Sequence, residues 1–561
     1  MGTHLIRLAT PIVVRLVSLL NEDLWLQVFQ FVVLDDPEAI WIISAVCHRW
    51  RQVAISCSSL WTDIACDLRK EPSQDLRTTV ATKLHRAVLQ LERSKSKQLS
   101  FSMSLEGSID TQQRLLEMDD VGPRKVLEHF AEHAHRVVSL YFEMGYSESV
   151  ASKLLPAAPF CFDLSSLQSL ALCNQGCHSG SGLYANEILF SNAPALRSFR
   201  CMDLHIVAIR ASHPLLPWSN LTDLQFTGCI GVAEEFLKIL ALTSGLESLS
   251  IASCDWERLD GMDRESHLQV VHLPKLTFLE IFLEVDVNDY GSSSPLTDLN
   301  TNDDYVSIIL AHLRAPSLTR LVVQDITLRS HFDSIHQHIQ QSRSPPITSL
   351  HLTGDFSASW APSIIAVLEH LPYIEKLIIE EACDIENPAD ALDVTPLLRR
   401  FTKPNDASAR SFCPKLGTPL SPMICPLLKI LRIFRVRMSF AALRRFVESR
   451  AGQVAEGSSL RRLDMLVLHD PFWIVPDQED GRGEEEAQAG QDGGDIPTDS
   501  EHEAHDEDDV HDGDDSLEED DINDQNDTDE VLEWLQRMQK NHGLQSNYTT
   551  SAPDEEGPEE E

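Results

Sequence analysis

Three short stretches bring together residue types that could do chemistry. "HFAEH" (129–133) sets His129 and His133 four residues apart with Glu132 beside them. In that form two imidazoles on one helix face hold zinc and a carboxylate works on the metal-bound water. "CNQGCH" (173–178) offers Cys173, Cys177 and His178, half the donor set of a tetrahedral zinc site. "VCHRWRQVAISCSSLWTDI" (46–64) packs Cys47, His48 and Cys57 among Arg49, Trp50, Arg51 and Trp61, donors for a metal or basic and aromatic groups for a phosphate backbone. Each falls short. The histidine pair has no assignable third ligand, the knuckle has no second half, and Cys47 and Cys57 lie ten apart without another pair. No wider basic stripe accompanies the arginines. A Gly-x-Ser-x-Gly elbow and a phosphate-cradling glycine loop are both missing from the sequence. The expectation is a binding protein and not an enzyme, with no resident metal or cofactor and no nucleic-acid partner.

What could position a binding surface is read from composition and periodicity. The 561 residues exceed one compact core, so several domains or a repeat array are expected. The formal charge of -41 is uneven: Asp477 to Glu561 holds 33 Asp and Glu against 3 Lys and Arg. The first 476 residues, with 54 acids and 43 bases, have an ordinary globular balance. The acidic tail (475–561) is expected to be disordered, since it has too little apolar surface to offset chain entropy. Within it, Val531, Leu532, Trp534, Leu535 and Met538 recur at helical spacing, predicting a short helix over 529–541, either transient or made for a partner groove. No apolar run reaches 18 residues, so no membrane span is expected. Residues 1–18 form an apolar N-terminal extension; Gly2 invites myristoylation, but Ile6 stands where Ser or Thr is wanted. Twelve cysteines without a paired framework fit a reducing compartment, cytoplasm or nucleus.

Between residues 19 and 65 the pattern is helical. Leu20, Leu24, Val28, Phe29 and Val32 share one spacing; "LDDPEA" breaks it; Ile40, Ile43, Ala45, Val46 and Trp50 predict a second helix. Asn21 is placed to cap the first. So few residues bury too little to stand alone, and an obligate partner is expected. "LLNEDLWLQVF", "ISAVCHRWRQVA" and "SSLWTDI", in that order and spacing, resemble the F-box domain of the large fungal family. The match covers Leu20, Leu24, Val28, Phe29, Val46, Cys47, Trp50, Leu60 and Trp61, with Asp23 at the family's acidic position and Asn21 in place of its proline. The resemblance implies a three-helix module that binds a Skp adaptor and its cullin ligase core through these residues.

Residues 66–135 read as linker helices and a first strand. From 136 to 474 a unit Leu-x-x-Leu-x-Leu/Ile recurs, at 137 ("VVSLYF"), 167, 196, 221, 246, 276, 318, 347, 374, 428 and 463. Most starts are 25–30 residues apart, and helical stretches such as "VAEEFLKILALTS" lie between. This strand-plus-helix period resembles the leucine-rich repeat, and the resemblance implies an irregular α/β solenoid, or horseshoe, in which Cys229 and Cys254 pack inside turns. Loops are expected at 284–304 and 401–424. Exposed strand positions, namely Asp223, Gln225, Glu247, Glu280, Arg320, His351 and Lys376, form the candidate substrate face. Together the resemblances imply the substrate receptor of a Skp–cullin–F-box ubiquitin ligase. The alternative is a leucine-rich-repeat scaffold or acidic chaperone for basic nuclear proteins.

Overall fold

The computed structural model describes residues 21–68, 76–105, 123–144, 163–173, 192–203, 216–257, 268–282, 305–382, 389, 391–402, 423–451, 460–474 and 524–549. Leu20, Cys177, His178 and most of both predicted insertions lie outside them. The architecture is α/β, with parallel strands and intervening helices. The chain divides into two compact units, Met1–Asp325 with Asp333–Pro346, and Ile326–Phe332 with Ile347–Glu561.

The first unit opens with three helices, α1 (Glu22–Asp35), α2 (Ala39–Val46) and α3 (His48–Ser56), then a 3-10 turn at Ser58–Trp61. The strands follow: β1 (Asp63–Asp67), β2 (Leu99–Leu105), β3 (Val137–Met144), β4 (Ser169–Cys173), β5 (Ser198–Met202), β6 (Asp223–Thr227), β7 (Ser248–Ala252), β8 (Phe278–Phe282) and β9 (Arg320–Ile326). Helices α4 (Leu76–Arg93), α5 (Pro123–His133), α6 (Ala233–Leu242) and α7 (Tyr305–His312) intervene, and α8 (Arg329–Gln341) begins in the short second-unit segment. Each of β1 to β8 pairs in parallel with its successor. A parallel neighbour requires a crossover between strands, which the helices and loops supply.

The second unit repeats the scheme with β10 (Ser349–Gly354), α9 (Ala361–Glu369), β11 (Lys376–Glu381), α10 (Thr395–Phe401), β12 (Ile430–Phe434), α11 (Phe440–Ala451), β13 (Met465–His469), α12 (Asp524–His542) and β14 (Gln545–Thr549). Strands β10 to β14 again pair in parallel and in chain order.

The repeating unit explains the strands. From residue 167 onward, every unit begins two residues before its strand. In most units the fourth and sixth residues, such as Leu224 and Phe226 or Leu249 and Ile251, are buried and the one between stays accessible; Leu172 is half-buried, and Val322 and Ile378 are buried at the position between. Several strands end in a left-handed residue: Asp203 (φ 53°), Gly228 (φ 61°), Ser253 (φ 49°), Arg435 (φ 54°) and Asp470 (φ 46°). Its amide donates to the last carbonyl of the next strand, as from Asp203 to Thr227 (2.8 Å) and Gly228 to Ala252 (2.9 Å). The chain thus leaves the sheet without losing a hydrogen bond.

Three expectations change. One strand is expected within 66–135, where β2 ("LSFSMSL") lies, but the sheet begins earlier, with β1 ("DIACD") at Asp63; both lack the Leu-x-x-Leu pattern and carry alternating buried and accessible residues. The second predicted helix is two, because Cys47 is extended (φ -158°) and its thiol accepts the Trp50 N–H at 3.5 Å, capping α3. The helix predicted at 529–541 runs from Asp524 to His542 and belongs to the fold: Val531, Trp534, Leu535 and Met538 are buried, and β14 behind it pairs with β13. This part of the acidic tail is neither disordered nor an unpartnered docking helix, because its apolar face meets Phe440 of α11, 5.6 Å from Trp534 between ring centroids. Among the described residues no helix is long and apolar enough to cross a membrane.

Candidate functional site

The N-terminal module has a small closed core and a large uncovered apolar surface. Trp25, Phe29, Ile40, Ile43, Val53, Ala54, Leu60 and Trp61 are buried together. Asn21 starts α1, its side chain accepting the Leu24 N–H at 2.9 Å. Trp61 donates its indole N–H to the Ala54 carbonyl (2.8 Å) and meets Trp41 edge-on at 5.1 Å. The Arg93 guanidinium of α4 lies over Trp61, 4.4 Å from the ring centroid, so the module leans on the next helix. Trp50 is half-buried, 4.6 Å from Trp25 and 5.1 Å from Phe29.

The residues singled out in the sequence therefore divide. Phe29, Leu60 and Trp61 are core, and Trp50 packs against that core. Leu24, Val28 and Val46 are exposed by 45%, 46% and 55%, and Asp23 and Cys47 are exposed beside them in sequence. Sequence reasoning missed two things. The residue that anchors α1 is Trp25, one position beyond Leu24. The uncovered set also includes Phe31, Leu34 and Ile42, exposed by 77%, 85% and 69%. Helix α1 carries apolar residues around most of its circumference, so the apolar period alone does not say which stripe faces inward. A helix apolar on most sides is built to be covered on most sides. Leu24, Val28 and Phe31, at i, i+4 and i+7, lie on one face.

On the sheets, register decides which candidate residues share a face. In the first unit Asp223 pairs with Ser198 and Ser248, Gln225 with Ser250, Ser250 with Glu280, and Phe278 with Arg320. Ser198 donates to Asp223 Oδ2 (2.7 Å), Ser250 to Glu280 Oε2 (3.0 Å), and the Arg320 guanidinium stands 4.8 Å from the Phe278 ring centroid. Asp223, Gln225, Glu280 and Arg320 thus occupy the outward rows. Glu247 lies one residue before β7 and is exposed; its carbonyl accepts the Thr277 N–H at 2.9 Å. In the second unit His351 and Lys376 lie on outward rows, and His351 pairs with Glu380 at 3.5 Å.

Of the stretches read for metal chemistry, His129 and His133 lie on a helix of the fold, Cys173 ends β4, and Cys177 and His178 lie outside the described residues. His129 is exposed on α5 and His133 half-buried at its end, with burial and then Arg136 lowering the His133 pKa. Cys229 is buried with its thiol 3.5 Å from Cys201 Sγ, and burial pushes the Cys201 and Cys254 thiols up, leaving them protonated and inert. Among the described residues no group of three or more His, Cys, Asp or Glu is placed to hold a metal ion. No family model matches the chain, and no curated protein matches it.

Proposed function

We propose that this chain is an F-box-type substrate receptor of a Skp–cullin–F-box ubiquitin ligase. Its N-terminal module docks on the adaptor, and a leucine-rich-repeat-type solenoid captures the protein to be modified. The observation that carries the reading is the uncovered apolar set Leu24, Val28, Phe31 and Val46 on a module whose core is already closed. Such a surface costs free energy in water and is relieved by a partner. The F-box-like spacing of the sequence says which partner. The receptor performs no chemistry; it raises the substrate's effective concentration near the ubiquitin-conjugating enzyme.

The test is a pull-down of the full chain with the Skp adaptor and cullin, beside Leu24→Lys/Val28→Lys. Both side chains are exposed, so the variant keeps its core, whereas Trp50→Ala would disturb the Trp25–Phe29 cluster. Binding by the wild type alone is expected. Binding by both, or by neither, refutes the docking assignment.

A second reading, an acidic scaffold or chaperone for basic nuclear proteins, is favoured by the 33 carboxylates from Asp477 onward. Deleting 477–561 would not separate the two, because it also removes α12 and β14. Replacing the acids of 477–520 by Asn and Gln does separate them: the second reading loses its partners, and the first keeps adaptor binding.

A further inference from the structure

The outward rows of β11, β12 and β13 are apolar where those of β5 to β7 carry mostly hydroxyl, amide and charged side chains. Ile378 is buried there, and Ile430, Phe434, Met465 and Val467 are half-buried. Arg432 stands in the middle of this patch. Ile378 and Val467 are its partners in register on the two adjacent strands. Ile430 and Phe434 lie two residues to either side of it along β12, on the same face.

The Arg432 guanidinium is short of acceptors. Its Nε is closed off without one, and Nη2 reaches only the Met465 sulfur at 3.9 Å, a weak acceptor. Among the described residues Arg432 makes no ion pair, although Lys429, three residues before it, has Glu375 at 2.8 Å. The side chain as a whole is half-buried, so its outer end reaches solvent. The other titratable groups of these rows are engaged: Glu380 with His351 (3.5 Å), His469 with Asp470 (3.3 Å), and Lys376 in a contact of its own. A guanidinium among apolar side chains has lost part of its hydration, and without an anion nothing offsets that loss.

We infer that this face of β11 to β13 takes an extended segment of a partner protein with the pattern apolar-x-acid-x-apolar. The aspartate or glutamate carboxylate accepts from Arg432 Nη1 and replaces the Met465 sulfur at Nη2, a two-bond, charge-assisted pairing. Laid along β12, alternate side chains of an extended segment point the same way, so its apolar residues meet the Ile430 and Phe434 positions while the acid meets Arg432. One guanidinium suits a carboxylate, whereas phosphate readers gather several arginines. The inference rests on the reading of the solenoid as the capturing surface and names the class of segment it captures.

The probe is the fluorescein-labelled peptide Val-Ser-Leu-Ser-Glu-Ser-Leu-Ser-Val, with a Glu-to-Gln version as control, titrated into the full chain and read by fluorescence anisotropy. Saturable binding of the Glu probe is expected, with the Gln probe, and the Glu probe on Arg432→Gln, each weaker by about tenfold or more. Val467→Glu places a carboxylate on the strand beside Arg432, which should take the guanidinium within the chain and exclude the probe. It stands in if Arg432→Gln fails to fold by circular dichroism. Equal binding of both probes, equal binding to wild type and variants, or no binding at all would overturn the inference. So would binding seen only after the acids of 477–520 are replaced by Asn and Gln, since the chain's own acidic segment would then be the occupant. The adaptor pull-down separates the two readings: a chain that binds the adaptor but not the probe refutes this inference alone.

Discussion

Removing the Trp534 indole should release the C-terminal helix and strand from the second unit. Trp534 is 4% exposed on α12, in one face with Val531, Leu535 and Met538. It stands edge-on to Phe440, which stands edge-on to Trp473 at 5.8 Å. Strand β14 has no fully buried residue of its own, its positions alternating between exposed and half-exposed. Its place beside β13 therefore depends on backbone pairing and on the anchor that α12 supplies. The indole N–H has no acceptor, so the loss on truncation is packing alone. Truncating a buried Trp to Ala costs about 3–5 kcal/mol. Every 1.4 kcal/mol is tenfold in an equilibrium, so the docked segment should open about 100- to 4000-fold more often.

Hydrogen exchange by mass spectrometry on the full chain reads this directly. The amides of Gln545–Thr549, including the Gln545 N–H bonded to the Asp464 carbonyl at 3.0 Å, should lose protection in Trp534→Ala by that factor. Those of Ile430–Phe434, two strands further in, should lose far less. Trp534→Phe should restore most of the protection. Unchanged exchange at Gln545–Thr549 in Trp534→Ala would refute the reasoning, because the strand would then be held by something other than α12.

Two further outcomes follow from buried charge in the second unit. Burial raises the Glu381 carboxyl from 4.5 to about 7, against the lowering effect of the Phe356 N–H that donates to it at 2.8 Å. In the unfolded chain Glu381 ionises near 4.5, so its stabilising contribution is complete below that pH and is lost as pH rises through about 7. Urea midpoints at pH 5 and pH 8 should fall with pH more in wild type than in Glu381→Gln; parallel curves would sink the assignment. Arg450 is 1% exposed and donates to the carbonyls of Pro426 (2.9 Å), Cys425 (3.0 Å), Phe401 (3.3 Å) and Arg461 (3.4 Å). Arg450→Met leaves those carbonyls short of donors and should cost about 3 kcal/mol or more, seen as a lower Tm. Arg450→Lys, a point charge without the planar fork, should recover only part; full recovery would mean that charge and not shape is what the site needs.

Much of this structure is legible because one signal is written eleven times. Each Leu-x-x-Leu-x-Leu unit puts its fourth and sixth residues on one side of an extended chain, and that fixes a strand and its inner face at once. What carries no such signal is harder to place. β1 has the alternation without the leucines and lies outside the expected strands, β2 falls within 66–135 where one strand is expected but without bounds, and β14, "QSNYT", buries nothing, so its existence depends on a helix 3 residues before it. The anchor of α12 could have been suspected from Trp534 and Leu535, but an apolar helical stripe reads the same whether its cover is another chain or its own. The module shows the same limit more sharply: Leu24 and Trp25 are adjacent and both apolar, and only the three-dimensional core decides that Trp25 goes in and Leu24 out.

The two surfaces that remain differ in what they can discriminate. An apolar face such as Leu24, Val28 and Phe31 is held by a non-directional force, so its specificity must come from shape. The outward sheet rows are the opposite case. Ser100, Ser139, Ser169 and Ser198 lie in register across four strands, and Ser248 follows beyond Asp223. Small hydroxyls in a row present an even polar floor with little to distinguish one partner from another. Discrimination on that floor would fall to the few residues that break it, Asp223 and the Arg320–Phe278 stack. None of these belongs to the buried leucine layer. Substituting them should change what the sheet binds while leaving the fold intact, whereas a change in the leucines should do the reverse.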